Sequence, residues 1–310
     1  MYLRFTKLQN LYKIDIKVLS LLAVKVLLMI IENKIKNVEE IIKKNKILGN
    51  KICLIPTMGS LHKGHISLIQ EALKTGEMVW VSIFVNPTQF NELDDYKKYP
   101  RSLKDDISKL KKLSHKICIF SPSTKEIYTN RVKSDDFDFG FLESVMEGKF
   151  RPNHFNGVAT IVTKLFEIFM PDYCFFGEKD YQQVIIIKKI IETNFKETKM
   201  IICDTIREKN GLAISSRNCF LSKKKFMESA IIYQMLVFAR NNINKINFRL
   251  LENIIAKKIN ETSGFELEYL DFRDANSLKK ISTINSKKNI RAFICVKVNG
   301  IRLIDNIELK

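Results

Sequence analysis

A chain of 310 residues, 45% apolar and 28% charged, has the length and composition of a globular protein with one large or two modest domains. A net charge of +18 fits nucleic acid or an anionic membrane as partner, but the lysines are scattered rather than gathered into a stripe, and no nucleic-acid recognition motif accompanies them. Lys, Ile, Asn and Phe are abundant while Gly, Pro and Trp are scarce, the bias an A+T-rich genome imposes, so the charge is read as composition and a nucleic-acid partner is not expected. The six cysteines are widely spaced with no CxxC or Cys/His cadence, which argues for a reduced, cytoplasmic protein without structural zinc or disulfides.

The chain opens with an apolar run, Val18 to Ile31, behind basic residues. It has the look of a signal or anchor, but it is short for a membrane span and no small-residue cleavage site follows. Residues 1–28 are read as an extension upstream of the native start, and no membrane partner is expected. Ile30 to Leu48 reads as an amphipathic helix, with Val38, Ile41 and Ile42 on one face and lysines on the other. Gly49-Asn50 ends it, and Lys51–Ile55 is a buried strand.

The stretch Pro56 to His65, PTMGSLHKGH, then turns into a helix running through Ile66 to Leu73. Strand, glycine-bearing turn and helix form the usual frame for a phosphate, because the helix start offers unpaired N–H groups and glycine lets the anion approach the backbone. Two of the chain's four histidines, His62 and His65, lie in this turn, where an imidazole can donate to phosphate oxygens as charge builds up. HxGH after a strand resembles the nucleotidyltransferase superfamily. The fuller PTMGSLHKGH resembles a narrower family, pantothenate synthetase (pantoate–β-alanine ligase).

Further blocks follow in that family's order. Glu77 to Val85 reads as a strand ending in Asn86-Pro87-Thr88-Gln89-Phe90, and VSIFVNPTQF is close to the family pattern. Gln89, at a strand's carboxyl end, can donate to and accept from a small polyol acid. Asp94-Asp95 could hold Mg²⁺ through water, with Asp95 the candidate. A Lys-rich helix from Leu103 to Leu113 and a strand at Ile117–Phe120 come next. Glu147 to Val158 resembles the family's EG-x-x-RPGHF-x-GV segment with Asn153 where glycine is expected, a substitution tolerable in a left-handed turn. Val158 to Met170 reads as a helix.

Pro171–Phe176 is a further strand, and Gly177-Glu178-Lys179-Asp180-Tyr181-Gln182-Gln183 makes a second strand–turn–helix phosphate site, now with a lysine. Asp180 could orient that lysine or take ribose, and Gln183 lies one helical turn on. After a last strand at Met200–Thr205, Arg207 to Asn218 resembles the family's mobile phosphate loop, R-x-x-x-GLAxSSRN. The remainder has Lys/Asn-rich helices to about Glu261, strands at Glu266–Asp271 and Ala292–Val298, a stretch ending in Arg302–Asn306, and no visible catalytic cluster.

The expected fold is α/β, a Rossmann-like parallel sheet with helices on both faces over 29–204, plus a smaller α+β C-terminal lid domain over 205–310. The resemblance implies ATP-dependent joining of (R)-pantoate and β-alanine through pantoyl adenylate, with ATP as substrate, Mg²⁺, and a homodimer. It implies that the PTMGSLHKGH turn (Met58, Gly59, Ser60, Leu61, His62, Lys63, Gly64, His65) addresses the nucleotide. Gly177, Glu178, Lys179, Asp180, Ile206, Ile214, Ser215, Ser216 and Arg217 join it, with Met58 and Ile206 near the adenosine. His65, His62, Lys179 and Arg217 would be catalytic, and Gln89 and Gln183 would address pantoate and β-alanine. A nucleotidylyltransferase that keeps its adenylylated product shares HxGH, but Gln89 and Gln183 in their blocks favour the ligase. A protein started at Met29 is expected to fold and to be fully active. Lost activity or a lowered melting temperature in that form, measured beside the full chain, would instead make residues 1–28 part of the fold.

Overall fold

A computed structural model describes residues 29–76, 78–283 and 289–310; the expectations for residues 1–28 lie outside it. Six strands, β1 (Ile31–Glu32), β2 (Ile52–Thr57), β3 (Met78–Ile83), β4 (Ile117–Phe120), β5 (Tyr173–Gly177) and β6 (Lys199–Cys203), form one sheet in the order β1-β4-β3-β2-β5-β6. Every pairing is parallel. From β2 the chain runs outward through β3 and β4, then returns to build β5 and β6 on the other side. The order therefore reverses between β2 and β5, and in open α/β sheets ligands bind outside the carboxyl ends at such a point.

Both faces of this sheet are covered, as parallel strands require. Alternate residues of β2 serve opposite faces. Ile52 and Leu54 join Trp80, Phe120, Phe166 and Phe169 in one core, while Cys53 and Ile55 join Ile69, Val81 and Leu110 in the other. The helices are α1 (Ile35–Ile47), α2 (Lys63–Thr75), α3 (Leu93–Lys98), α4 (Leu103–Leu113), α5 (Thr124–Ile127), α6 (Met146–Phe150), α7 (His154–Phe169) and α8 (Tyr181–Asn194). The first core is covered by α1, α7 and α8, the second by α2 and α4.

Two helix starts lie four or more residues from the sequence reading. The helix expected from Ile30 starts at Ile35, because the preceding residues pair as β1: the Ile30 and Glu32 carbonyls accept from Ile119 and Ser121 N–H, each at 2.8 Å. Glu126 Oε1 then accepts from Ile35 N–H at 2.9 Å and marks the new helix start. The helix expected from Val158 begins at His154, since Asn153 takes a left-handed φ of 63° that turns the chain directly into α7.

Beyond β6, helices α9 (Lys223–Glu228), α10 (Ala230–Asn242) and α11 (Phe248–Asn260) pack on a separate antiparallel sheet, β7 (Phe265–Asp274), β8 (Ile290–Val298) and β9 (Ile301–Glu308). Leu278 and Phe293 meet Phe139, Phe155, Ile186 and Ile190, joining this unit to α7 and α8. None of the six cysteines forms a disulfide, and Cys53, Cys118, Cys174 and Cys295 are buried. No helix among the described residues is long and apolar enough to cross a membrane.

The start of α7 lies against the short 3₁₀ turn Pro87–Gln89 that follows β3. A Cβ on Gly157 would stand 2.3 Å from the Thr88 carbonyl oxygen and 2.6 Å from Gln89 Cα, both backbone atoms that cannot swing aside. Gly157→Ala is expected to destabilise the fold by about 1–3 kcal/mol in urea denaturation. Unchanged stability would contradict this close approach.

Candidate active site

The turn after β2 is held from outside the crevice. Gly59 and Ser60 both take left-handed φ, 76° and 52°, a conformation that gathers successive N–H groups into a concave anion nest. The anion that fills it is the buried carboxylate of Asp106, in the first turn of α4. It accepts from Ser60 N–H and Leu61 N–H, each at 2.8 Å. Lys109 Nζ donates to the Leu61 carbonyl at 2.7 Å. The chain is thereby set to enter α2 at His62.

His62 and His65 stack with ring centroids 3.9 Å apart. His62 N–H donates to His65 Nδ1 at 3.3 Å, so the proton of a neutral His65 ring sits on Nε2. Burial, and then the nearby Lys179 charge, push His62 down to about 4. Burial and the neighbouring His62 push His65 well below the usual range. Both imidazoles are neutral donors at pH 7.

On the other side of the switch point, Lys179 follows β5, with Nζ 3.2 Å from Asp180 Oδ1. This turn is held by the C-terminal sheet: Asn306 Nδ2 donates to the Glu178 and Lys179 carbonyls at 3.0 and 2.9 Å. Arg291 reaches Glu178 Oε1 at 2.7 Å. The loop from Ile206 to Arg217 closes a third side. Arg207 forks onto buried Asp305 at 2.5 and 3.0 Å and lies over the Tyr233 ring at 3.8 Å. Ser216 Oγ reaches the Ser60 carbonyl at 3.5 Å, and Arg217 pairs with Asp95 at 2.9 Å.

Gln89 is buried beside the start of α7. Its Nε2 donates to Met58 Sδ at 3.1 Å and its Oε1 accepts from Asn86 Nδ2 at 3.2 Å. A carbonyl only accepts, so the 2.8 Å contact from His154 Nδ1 to the Gln89 carbonyl places the His154 proton on Nδ1. His154 Nε2 then accepts from Arg151 at 3.0 Å, and burial followed by the Arg151 charge holds this imidazole near 3. Behind Arg151 lies Glu147. Burial raises its carboxyl, but the Arg302 fork, at 2.7 and 2.9 Å, outweighs that and holds it at about 2.

These groups meet in one cavity of about 240 Å³ at the carboxyl ends of the sheet strands. Met58, His62, Gly64, His65, Gln89, Gly177, Lys179, Asp180, Gln183, Ile206, Ile214, Ser215, Ser216 and Arg217, all candidates from the sequence, line it. The remaining candidates do not. Gly59 faces a second cavity beside Asp106, Ser60 and Leu61 give their N–H groups to Asp106, and Lys63 lies outside the lining. Glu178 turns to Arg291. Asp95, expected to hold Mg²⁺ through water, is instead paired with Arg217. The one group of three metal-capable side chains among the described residues, Glu147, Glu268 and Cys295, is elsewhere, and Arg302 already bonds both its carboxylates. Among the described residues no set of three protein ligands is left free to hold a resident Mg²⁺.

Sequence reasoning missed Arg151, His154, Ser82 and Thr205, all in the lining, and Asp106 and Asn306 behind it. Residues 151–154 and Ser82 stood inside recognised blocks without an assigned role; Thr205, Asp106 and Asn306 carried no local signal. Three buried polar atoms of the lining, His62 Nδ1, Ser82 Oγ and Thr205 Oγ1, have no hydrogen-bond partner. In a pocket, such orphans mark where a polar ligand belongs.

Phosphate-type turns on both sides of the switch point of an open parallel sheet define an α/β nucleotide-binding protein. The family profile for pantoate-beta-alanine ligase matches residues 30–308. A pantothenate synthetase of Flavobacterium psychrophilum is 45% identical over 282 residues, 91% of this chain and 100% of that one. A crystal structure of pantothenate synthetase from Thermus thermophilus superposes with a TM-score of 0.83 at 29% identity, covering 91% of this chain and 99% of that chain. That of the Francisella tularensis pantoate-beta-alanine ligase, complexed with beta-gamma ATP and beta-alanine, gives 0.74 at 37% identity, covering 91% and 98%. The chain belongs to the pantoate–β-alanine ligase family.

Because His62, His65 and His154 are neutral when folded, the unfolded chain binds protons first as pH falls below about 6.5. Their contribution to stability is full above that value and drains away toward about 4 for His62 and about 3 for His154. The ring ¹⁵N shifts of all three in the folded protein are expected to stay at neutral positions down to about pH 5, while the melting temperature falls over the same range. A ring titrating near its unperturbed value in any of them would contradict the assignment.

Proposed function

We propose that this chain joins (R)-pantoate to β-alanine at the cost of ATP, giving pantothenate, AMP and diphosphate through pantoyl adenylate. The observation that carries the reading is the convergence of His62, His65 and Lys179 from the two flanking turns, with Gln89 and Gln183, on one cavity. A carboxylate is a poor electrophile. A pantoate carboxylate oxygen therefore attacks the α-phosphorus of ATP, and the P–O bond to diphosphate breaks. The amine nitrogen of β-alanine then attacks the acyl carbon, AMP leaves with the electron pair, and the nitrogen releases a proton.

No enzyme nucleophile is required, so the side chains work by alignment and by stabilising charge. His65, through Nε2–H, and His62 donate hydrogen bonds to the triphosphate as neutral groups, while Lys179, Ser215, Ser216 and Arg217 meet its negative charge. Burial and the neighbouring His62 keep the His65 imidazole neutral, and a neutral imidazole is a poor proton donor, which favours charge stabilisation over general acid catalysis for His65. Met58, Ile206 and Ile214 flank the adenosine. Gln89 and Gln183 bind pantoate through their amides.

Mg²⁺ accompanies ATP as part of the nucleotide substrate, its usual mode with phosphates. A cytoplasmic homodimer, with 29–204 as the nucleotide- and pantoate-binding domain and 205–310 as a lid, completes the proposal on family resemblance; sedimentation at micromolar concentration tests the dimer.

His65→Ala and Lys179→Ala are each expected to slow single-turnover formation of pantoyl adenylate by at least about a hundredfold, the scale of losing a transition-state charge partner. Near-normal adenylation in either variant removes that residue from the mechanism. Gln89→Ala should raise the KM for pantoate far more than that for ATP, since an amide site loses selectivity with its partner. Equal effects on both substrates would make Gln89 a structural residue.

A further inference from the structure

Three acids meet in the proposed reaction, and two have cationic or amide partners already: the triphosphate and pantoate. The carboxylate of the amine substrate has none. It never reacts, yet it enters a buried cleft carrying a full charge, and burying an unpaired carboxylate is prohibitive. A cation inside the cavity must receive it.

Arg151 is the cation whose own pairing is incomplete. Its side chain is only 15% exposed, and it lines the cavity beside Gln89. Glu147 is the nearest acid, at 3.5 Å, beyond the range of a strong charge-assisted hydrogen bond. The Glu147 oxygens already receive Arg302 at 2.7 and 2.9 Å and the Tyr269 hydroxyl at 3.0 Å. What Arg151 does hold is neutral: His154 Nε2 at 3.0 Å and the Gln89 carbonyl at 3.4 Å. Burial accordingly lowers the Arg151 pKa even though Glu147 opposes it.

The other cations of the lining are better matched. Arg217 has Asp95 at 2.9 Å, and Lys179 has Asp180 at 3.2 Å and stands at a phosphate-type turn. Arg151 is instead aligned from both sides, by Glu147 behind and His154 beside it. Its guanidinium is thus oriented, desolvated and short of a bidentate acceptor, the condition in which Arg recognises a carboxylate.

We propose that Arg151 is the carboxylate subsite for the amine substrate and selects a short ω-amino acid over a simple amine, an inference that rests on the ligase reading above. Arg151 then acts in the second half-reaction and not in the first. Glu147 and His154 are positioning residues for it.

The test compares the full chain with its Arg151→Gln and Arg151→Lys variants in two assays. Diphosphate release from pantoate and ATP without amine reads adenylation, and amide formation with β-alanine or with propylamine reads the carboxylate. Arg151→Gln is expected to raise the KM for β-alanine by about a hundredfold, the scale on which a site built for a polar group loses selectivity, and to abolish the preference over propylamine. It is expected to slow adenylation by no more than about fivefold, a small fraction of the effect of losing a transition-state charge partner. Arg151→Lys, with the charge but not the fork, is expected to fall between. A retained preference for β-alanine in Arg151→Gln, or equal loss in both assays, overturns the proposal. Propionate added to the unaltered chain is expected to compete with β-alanine and not with pantoate; the reverse pattern also overturns it. If the unaltered chain releases no diphosphate from pantoate and ATP, the ligase reading itself fails.

Discussion

The geometry of the site depends first on a buried carboxylate that never reaches the ligand cavity. Gly59 and Ser60 turn left-handed and expose their neighbours' N–H groups on one side. Without an acceptor, the buried Leu61 donor alone would cost roughly 1–3 kcal/mol, and the half-buried Ser60 donor would add to it. Asp106 satisfies both at 2.8 Å, and α4 is anchored to the sheet through Leu110 in the second core. The turn is thereby fixed, and the fixed turn presents His62 and His65 as stacked neutral rings. A phosphate-type loop has in this way been filled from behind by a protein anion, leaving the helix start and the imidazoles for the ligand.

The second constraint comes from the far end of the chain. Strand β9 places Arg302, Asp305 and Asn306 against three different walls of the cavity. Arg302 holds Glu147 behind Arg151, Asp305 holds Arg207 at the base of the 206–217 loop, and Asn306 holds the Lys179 turn. Burying such pairs is stabilising only when their hydrogen bonds are complete. Arg302 meets that condition through Glu147 and Glu268 together. The walls of the site are thus set relative to one another by one strand outside the parallel sheet.

What was legible in the sequence follows from how local each signal is. The turns after β2 and β5 could be read because strand, glycine, charged residues and helix lie within about ten positions of one another, and α/β folds repeat that unit. The parallel sheet and most helices followed from the same alternation. Strand β1 was hidden because Ile30 and Ile31 also satisfy a helical period; its pairing with β4, about ninety residues on, decides against the helix. Asp106 looked like an ordinary acid in the first turn of a Lys-rich helix. Arg302 and Glu147 lie 155 positions apart, and nothing local in the C-terminal stretch announces which partner each polar residue of β9 will find. Arg151 and His154 were visible as motif letters, but their roles needed the contact with Gln89.

In the proposed reaction a carboxylate oxygen of pantoate bonds to the α-phosphorus held between the two flanking turns. Pantoate labelled with ¹⁸O in its carboxyl group, incubated with ATP and β-alanine and this protein, tests it directly by mass spectrometry of the products. One labelled oxygen is expected in the phosphate of AMP, and the other in the amide product. AMP or diphosphate formed without label in AMP, or label found in diphosphate, would contradict it.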